Sequence, residues 1–209
     1  KTKDGLTAFL YHKNQPGWRI KRRIPIMGPE EHGGHCEIEY NGLEIPDENR
    51  LGEVGKGLKI VQIRLGLARL THCMRWIGMC ERAFDLMCQR AVSREIAEGV
   101  MLGEKQTIQN WISECRAEIN AARLLVQDAA HKIDVQGAYE TRSEISIIKF
   151  YCAQVLQKVV DCAIQVHGAK GVTDDTILSL YYRHERAARI YDGADEVHES
   201  RLARSILKK

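Results

Sequence analysis

All four prolines of the 209-residue chain lie within its first 46 positions. Because proline removes a backbone donor and breaks helices, the proline-free remainder is able to form long helices. The opening part combines its prolines with many glycines and with short apolar runs such as LTAFLY and CEIEYNGLEI, which are typical of strands and turns. We therefore predict two domains, with strands in residues 1–54 and helices in residues 55–209.

Apolar residues spaced three and four positions apart predict three long helices in the second part of the chain. They run from about 56 to 92, from about 105 to 135 and from about 141 to 166. The stretch HGAKG ends the third helix, and we expect Gly168 and Gly171 to supply the positive φ that a turn after a helix needs. The expected fold class is therefore mainly α, a helical bundle preceded by strands.

Two shorter helices are predicted near the end of the chain, separated by the loop YDGADE. Thr173 or Asp174 is the expected N-cap of the first and Asp195 that of the second, because short polar side chains accept hydrogen bonds from helix N–H groups. Asp192 in the loop allows two interpretations. It is either a turn or cap residue or a general base.

The charge balance and the cysteines narrow the class of function. Lys and Arg number 31 against 28 Asp and Glu, a net charge of +3 that gives no argument for nucleic-acid binding. The sequence has no apolar run of about 18 residues and no charged-then-apolar leader, so we expect neither a membrane span nor a signal peptide. Seven cysteines without a CxxC pair, among them Cys73, Cys80 and Cys88, are typical of small buried side chains in a reducing compartment.

Two kinds of metal site can be tested against the sequence. The stretch EEHGGHCE gathers Glu31, His32, His35 and Cys36. A structural zinc site needs a second half elsewhere in the chain, so a solvated glycine turn is the better interpretation. A di-iron bundle needs two Glu-x-x-His pairs on separate helices, and the predicted long helices contain none. We therefore expect no metal site.

Four motifs, IPDENRLGEVGKGLKI, LARL, IQVHGAKGV and RHERAARIYDGADEV, follow one another along the chain. In this order they resemble the acyl-CoA dehydrogenases, a family of FAD-dependent flavoproteins, and the resemblance extends over nearly the whole chain. It implies that residues 1–54 are the C-terminal part of the family's middle β-domain and residues 55–209 its C-terminal α-helical bundle domain. The family's N-terminal helical domain and most of its β-domain have no counterpart in this sequence.

The resemblance also implies which residues contact FAD, namely Arg94, Gln165, Gly168, Glu196 and Arg204. Arg94 and the QVHGAKG turn would serve the flavin of a neighbouring subunit, and a guanidinium suits phosphate through its fixed bidentate fork. The sequence departs from the family pattern after Arg94, with Ala97 and Glu98 where Phe and Gly are usual and Lys105 where glutamine is usual. The family pattern thus predicts a flavin site that two subunits share.

The loop residue Asp192 is implied to be the catalytic base. Most members of the family read Tyr-Glu-Gly-Thr here, with the glutamate removing the α-proton of the acyl thioester, whereas this chain reads Tyr-Asp-Gly-Ala. Arg69 and Gly193 would lie beside the substrate, and Ala68 stands where one branch of the family carries a glutamate. The pattern DGxDEVH, from Asp192 to His198, is similar to the branch of acyl-CoA dehydrogenase family members 10 and 11, which carries aspartate.

The implied function is the FAD-dependent oxidation of an acyl-CoA to a trans-2-enoyl-CoA. The implied partners are the acyl-CoA substrate, an electron-transferring flavoprotein and further copies of the chain in a homodimer or homotetramer. The implied location is the mitochondrial matrix or a peroxisome in a eukaryote and the cytoplasm in a bacterium. The alternative is a non-catalytic oligomerisation or scaffold fragment, because the domains that hold the flavin ring have no counterpart here. By itself the fragment is expected to be inactive.

Overall fold

The computed structural model describes residues 3, 5–28 and 34–208. The chain divides after Leu65 into two compact units. Five α-helices make up more than half of the described residues, so the predicted mainly α fold is confirmed. Within the described ranges, no helix is both long enough and apolar enough to cross a membrane.

The first unit contains two short antiparallel strand pairs. Its strands are β1 (Ala8–Phe9), β2 (Trp18–Arg23), β3 (Cys36–Tyr40) and β4 (Arg50–Leu51). β1 pairs with β4, and β2 pairs with β3, where basic side chains of β2 form ion pairs with glutamates of β3. A strand is therefore found within each of the two apolar runs that predicted one.

The candidate metal cluster of the first unit is only partly described. Glu31 and His32 lie outside the described residues, whereas His35 and Cys36 lie within them. The Cys36 thiol donates to the Gly34 carbonyl oxygen at 3.2 Å. Among the described residues, no group of three His, Cys, Asp or Glu side chains is placed to hold a metal ion.

The helices follow in sequence order, and each long one begins and ends within one residue of its prediction. They are α1 (Gly57–Ser93), α2 (Gln106–Gln136), α3 (Arg142–His167), α4 (Leu178–Glu185) and α5 (Asp195–Leu207). A small hairpin of β5 (Glu95–Ala97) and β6 (Val100–Met101) joins α1 to α2.

Helix α3 lies at the centre of the second unit and packs against α2, α4 and α5. Its buried side chains Cys152, Leu156, Val159 and Ala163 recur every three or four residues, which places them on one face of the helix. Buried residues of α1 and α2 complete the same hydrophobic core. The regular apolar spacing of the sequence therefore encodes the packing of this unit.

All seven cysteines are free thiols. Cys73 and Cys80 are buried and Cys88 is half-buried, and burial raises the pKa of each thiol above its ordinary value. Such thiols stay protonated and pack as small apolar side chains. The prediction of buried cysteines is confirmed for Cys73 and Cys80, whereas Cys88 is less buried than predicted.

The predicted N-cap of α4 is wrong. This helix begins at Leu178, so neither Thr173 nor Asp174 lies at its cap position. The Asp174 carboxylate instead accepts hydrogen bonds from Ser179 Oγ at 3.1 Å and from Arg183 Nη2 at 3.0 Å. These side-chain donors from the helix satisfy the carboxylate, and the backbone between 173 and 177 stays outside the helix.

The predicted N-cap of α5 is also wrong. Ala194 occupies the cap position, and Asp195 is the first helical residue. The Asp195 side chain is 2% exposed, accepts a hydrogen bond from Arg189 Nε at 2.7 Å and lies 3.7 Å from Lys149 Nζ. Because an unpaired buried carboxylate is costly, Asp195 is turned towards these cations and away from the helix N–H groups.

The two glycines after α3 serve different purposes. Gly168 has a φ of 63°, as predicted for a residue that ends a helix. The prediction for Gly171 is wrong, because Gly171 is not among the positive-φ glycines. A Cβ at Gly171 would lie only 2.6 Å from the Ile164 carbonyl oxygen. Gly171 is therefore required by the close approach of the two backbone segments.

Candidate active site

The candidate site centres on the loop that connects a short 3-10 turn, Arg186–Arg189, to helix α5. Two successive residues of this loop adopt left-handed backbone conformations, with φ values of 54° at Asp192 and 104° at Gly193. Aspartate is one of the few residues with a side chain that tolerates this region, and glycine adopts it freely. The sequence Asp-Gly thus matches the bend that the loop makes.

Three helices hold the backbone of this bend. The Asp192 carbonyl oxygen accepts hydrogen bonds from Arg69 Nε of α1 at 2.8 Å and from His198 Nε2 of α5 at 3.2 Å. The next carbonyl, that of Gly193, accepts a hydrogen bond from Lys149 Nζ of α3 at 2.5 Å. Arg69, which the sequence places 123 positions before Asp192, therefore contacts the loop through its backbone.

The Asp192 carboxylate has a partner of its own on α1. His72 Nε2 lies 3.2 Å from Asp192 Oδ2, and the two side chains are 34% and 17% exposed. The His72 ring stacks on Trp76 with a centroid distance of 5.9 Å and meets the Tyr191 ring edge-on at 5.3 Å. His72 was not among the site residues expected from the sequence, although its position three residues after Arg69 places both on one helix face.

A buried ion pair, formed by Lys149 and Asp195, contacts the loop. Lys149 is fully buried, and burial lowers its pKa, an effect that the neighbouring Asp195 carboxylate partly offsets. Asp195 in turn accepts a hydrogen bond from Arg189 Nε. The same lysine therefore joins the carbonyl of Gly193 to the first residue of α5. Sequence reasoning missed Lys149, because nothing in its local pattern distinguishes it from a surface lysine.

A second buried carboxylate fixes the residue before Asp192. Glu185 is 1% exposed and accepts hydrogen bonds from Trp76 Nε1 at 2.8 Å, from Arg75 Nη2 at 3.1 Å and from the Tyr191 hydroxyl at 3.1 Å. Burial raises the pKa of Tyr191 to about 12, so its hydroxyl stays protonated and remains a donor. Glu185 thereby ties Tyr191 to helix α1, and sequence reasoning did not find this role.

His198 closes the loop on its α5 side. It is 3% exposed, and burial lowers its pKa to about 4, with the positive charges of Arg69 and Lys149 acting in the same direction. Its ring is therefore neutral at pH 7. A Cβ at Gly193 would lie 2.8 Å from His198 Nε2, so only glycine fits beside this ring. The short contact gives Gly193 a packing role in the loop.

Three of the residues predicted to contact FAD lie together. Arg94, Gln165 and Gly168 line a cavity of about 350 Å³ between the end of α1 and the end of α3. Arg90 and Lys170 add two further basic side chains to this lining. The buried Arg90 Nε has no hydrogen-bond partner among the described residues. The cavity therefore offers several donors and positive charges to an anion.

The other two predicted FAD contacts lie elsewhere. Glu196 and Arg204 of α5 line a larger cleft of about 800 Å³, to which Arg142, Arg201 and Lys208 also contribute. This cleft shares no lining residue with the cavity beside Arg94. The predicted site residues thus form three groups, one around Asp192 with Arg69 and Gly193, one around Arg94, and one on the exposed face of α5.

Comparison with known proteins gives consistent matches. The family model "Acyl-CoA dehydrogenase, C-terminal domain" matches residues 55–207. The protein named "Probable acyl-CoA dehydrogenase FadE2" of Mycobacterium tuberculosis is 46% identical over 194 residues, which cover 93% of this chain and 47% of that protein. Acyl-CoA dehydrogenase family member 11 of Gallus gallus is 42% identical over 200 residues, which cover 95% of this chain and 26% of that protein.

A solved structure gives the same result for the fold. Butyryl-CoA dehydrogenase from Megasphaera elsdenii matches with a TM-score of 0.88 at 26% identity, over 98% of this chain and 52% of that one. The chain therefore spans about half of two of these relatives and about a quarter of the third. The family model and the relatives agree that this chain belongs to the acyl-CoA dehydrogenase family and carries its C-terminal domain.

Proposed function

We propose that this chain is the C-terminal part of an FAD-dependent acyl-CoA dehydrogenase that converts an acyl-CoA to a trans-2-enoyl-CoA. In this proposal residues 1–54 end the middle β-domain and residues 55–209 form the helical domain. Asp192 is the base that removes the α-proton of the acyl thioester. The observation that carries the proposal is the position of the Asp192 carboxylate on a loop whose backbone three helices hold.

A general base must be held within hydrogen-bond reach of the proton that it takes. The left-handed backbone at Asp192 and Gly193 and the contacts of their two carbonyls limit the positions that the carboxylate can adopt. Aspartate reaches less far than glutamate by one methylene, so a fixed loop matters more here. The contact with His72 is made by Oδ2. We assign Oδ1 as the atom that receives the α-proton.

FAD supplies the two-electron acceptor of this reaction when it is bound. The residues beside Arg94 fit its pyrophosphate, because the cavity offers one lysine and two arginines. One of these arginines, Arg90, has a buried Nε without a partner among the described residues. Glu196 and Arg204 are the proposed contacts to another part of the cofactor. Arg69 and Gly193 are the proposed residues on the substrate side, where Arg69 also fixes the loop.

The assembly and the partners follow from the same proposal. Because Arg94 and the turn at Gly168 would serve the flavin of a neighbouring subunit, we propose a homodimer or homotetramer, with an electron-transferring flavoprotein as the electron acceptor. The aspartate and the pattern DGxDEVH support the branch of family members 10 and 11. The free thiols suit a reducing compartment, such as the mitochondrial matrix, a peroxisome or a bacterial cytoplasm.

The test compares two substitutions of Asp192 in the full-length, flavin-loaded protein. Asp192→Asn keeps the size of the side chain and removes the proton acceptor, so flavin reduction by an acyl-CoA should slow by about 10² to 10⁴, the usual contribution of a general base. Asp192→Glu keeps a carboxylate and should remain active. Rapid-mixing absorbance measurements of flavin bleaching give both rates. An Asp192→Asn variant that reduces flavin at the wild-type rate would refute the catalytic role and favour a structural one.

A further inference from the structure

His72 and Asp192 form a carboxylate–imidazole pair, which indicates a role for His72 in addition to that of Asp192. His72 Nε2 lies 3.2 Å from Asp192 Oδ2, within reach of a charge-assisted hydrogen bond. The ring is also held from two sides, by Trp76 and by Tyr191. The His72 side chain therefore has a fixed orientation towards one oxygen of the carboxylate.

We propose that His72 is a positioning residue for Asp192, which directs Oδ1 towards the substrate and sets the basicity of the carboxylate by its own protonation state. This inference rests on the proposed role of Asp192 as the base. A shorter side chain than the family's usual glutamate has fewer conformations, and a donor on Oδ2 selects one of them. The imidazole thus orients the carboxylate, as a second group orients the base in many catalytic sites.

The protonation state of His72 has a definite direction of effect. A protonated imidazole next to the carboxylate stabilises the anion and weakens it as a base, whereas a neutral imidazole still donates through Nε2 and leaves the carboxylate more basic. The rate of proton removal should therefore rise as the pH passes upward through the pKa of His72. This dependence separates a positioning residue from one that only fills space.

Other charged or titratable groups lie near the pair. Three helices contribute cations, namely Arg69, Lys149 and Arg201. Helix α5 contributes the buried imidazole of His198, and the loop contributes the phenol of Tyr191. Burial keeps His198 neutral and Tyr191 protonated near pH 7. Arginine does not change charge in that range, and the Asp195 carboxylate partly offsets the effect of burial on the pKa of Lys149.

The first experiment measures the pair without turnover. Nuclear magnetic resonance of the His72 ring, followed as a function of pH, gives its pKa in the wild-type chain and in Asp192→Asn. Removal of the negative charge should lower the His72 pKa, since an opposite charge at this distance favours the protonated form. His131→Gln, on the exposed side of α2, is the control that should leave the His72 pKa unchanged. An identical His72 pKa in wild type and Asp192→Asn would overturn the inference.

The second experiment measures flavin reduction against pH in the full-length protein for His72→Leu and His72→Gln. His72→Leu removes the donor and should slow reduction by about 10-fold to 100-fold. His72→Gln keeps a donor without a titrating charge, so it should recover much of that loss and should lack the fall in rate at acid pH. A His72→Leu variant with the wild-type rate and pH profile would overturn the positioning role.

The two proposals fail in different ways. If Asp192→Asn reduced flavin at the wild-type rate, the proposed base would be wrong and the role of His72 would fall with it. If Asp192→Asn lost activity while His72→Leu kept the wild-type rate and profile, only the inference about His72 would be overturned.

Discussion

Substitution of His198 should change how strongly acid destabilises the protein. In the folded chain this ring is 3% exposed and neutral, with Nε2 donating to the Asp192 carbonyl oxygen. In the unfolded chain the ring is in water and takes up a proton at its ordinary pKa of 6.5. Lowering the pH therefore favours the unfolded state through His198.

The magnitude follows from the two pKa values. Burial lowers the pKa of His198 from 6.5 to about 4, and each tenfold change in proton affinity corresponds to about 1.4 kcal/mol. Below pH 6.5 the unfolded state binds more protons than the folded state. The stabilising contribution of the neutral His198 ring is therefore fully present above pH 6.5 and is lost as the pH falls towards 4. The loss amounts to about 3 kcal/mol between pH 7 and pH 4, a large part of the stability of a typical domain.

The assay is urea unfolding of wild type and His198→Gln at a series of pH values from 7 to 4. Glutamine keeps a donor for the Asp192 carbonyl and does not titrate, so the free energy of unfolding of the variant should fall less with acid. Carboxylates that titrate in the same range are common to both proteins and cancel in the difference. His131→Gln, at an exposed position of α2, should follow the wild-type curve.

The difference in unfolding free energy between wild type and His198→Gln should thus shift by about 3 kcal/mol across this range, in favour of the variant at low pH. A difference that stays constant from pH 7 to pH 4 would refute the reasoning, because it would mean that His198 takes up its proton equally in both states.

Two further predictions concern stability. Gly171→Ala places a Cβ 2.6 Å from the Ile164 carbonyl oxygen and should destabilise the fold by about 2 kcal/mol or more, so an unchanged urea midpoint would contradict this. Gly168→Ala meets no atom within 4 Å, so its expected cost of about 1 to 3 kcal/mol comes from its backbone conformation alone. Glu185→Leu leaves Trp76 Nε1 and Arg75 without their acceptor and should cost about 2 to 3 kcal/mol in thermal unfolding, so a loss below about 0.5 kcal/mol would show that the carboxylate does not hold Tyr191.

The long helices were predictable because their apolar residues recur with the period of the helix itself. The signal accumulates over 26 to 37 residues in each case, so single exceptions do not alter it. The caps were less predictable, because a cap depends on where one side chain points. Asp195 has the right chemistry for a cap, but a buried lysine and an arginine compete for its carboxylate. Local sequence does not contain that competition.

The residues of the candidate site were also predictable only in part. Asp192, Gly193 and Arg69 were identified from motifs, and these three residues come together in the structure. The contact itself was not foreseen, since the Arg69 guanidinium bonds the backbone of Asp192 and not its carboxylate. His72 was missed for a related reason. An isolated histidine on a helix is most often a packing residue, and only the folded loop brings a carboxylate to it.

The sequence by itself determined the mainly α fold, the bounds of the long helices, the position of the Asp-Gly loop and the residue types that belong to the family pattern. Only the tertiary structure decided which polar residues are buried and paired, among them Lys149, Glu185, Asp195 and His198. The physical reason is that helix formation depends on neighbours three and four positions away. The burial of a charge depends on partners that other elements of the fold supply, as α3 supplies Lys149 to Asp195 of α5.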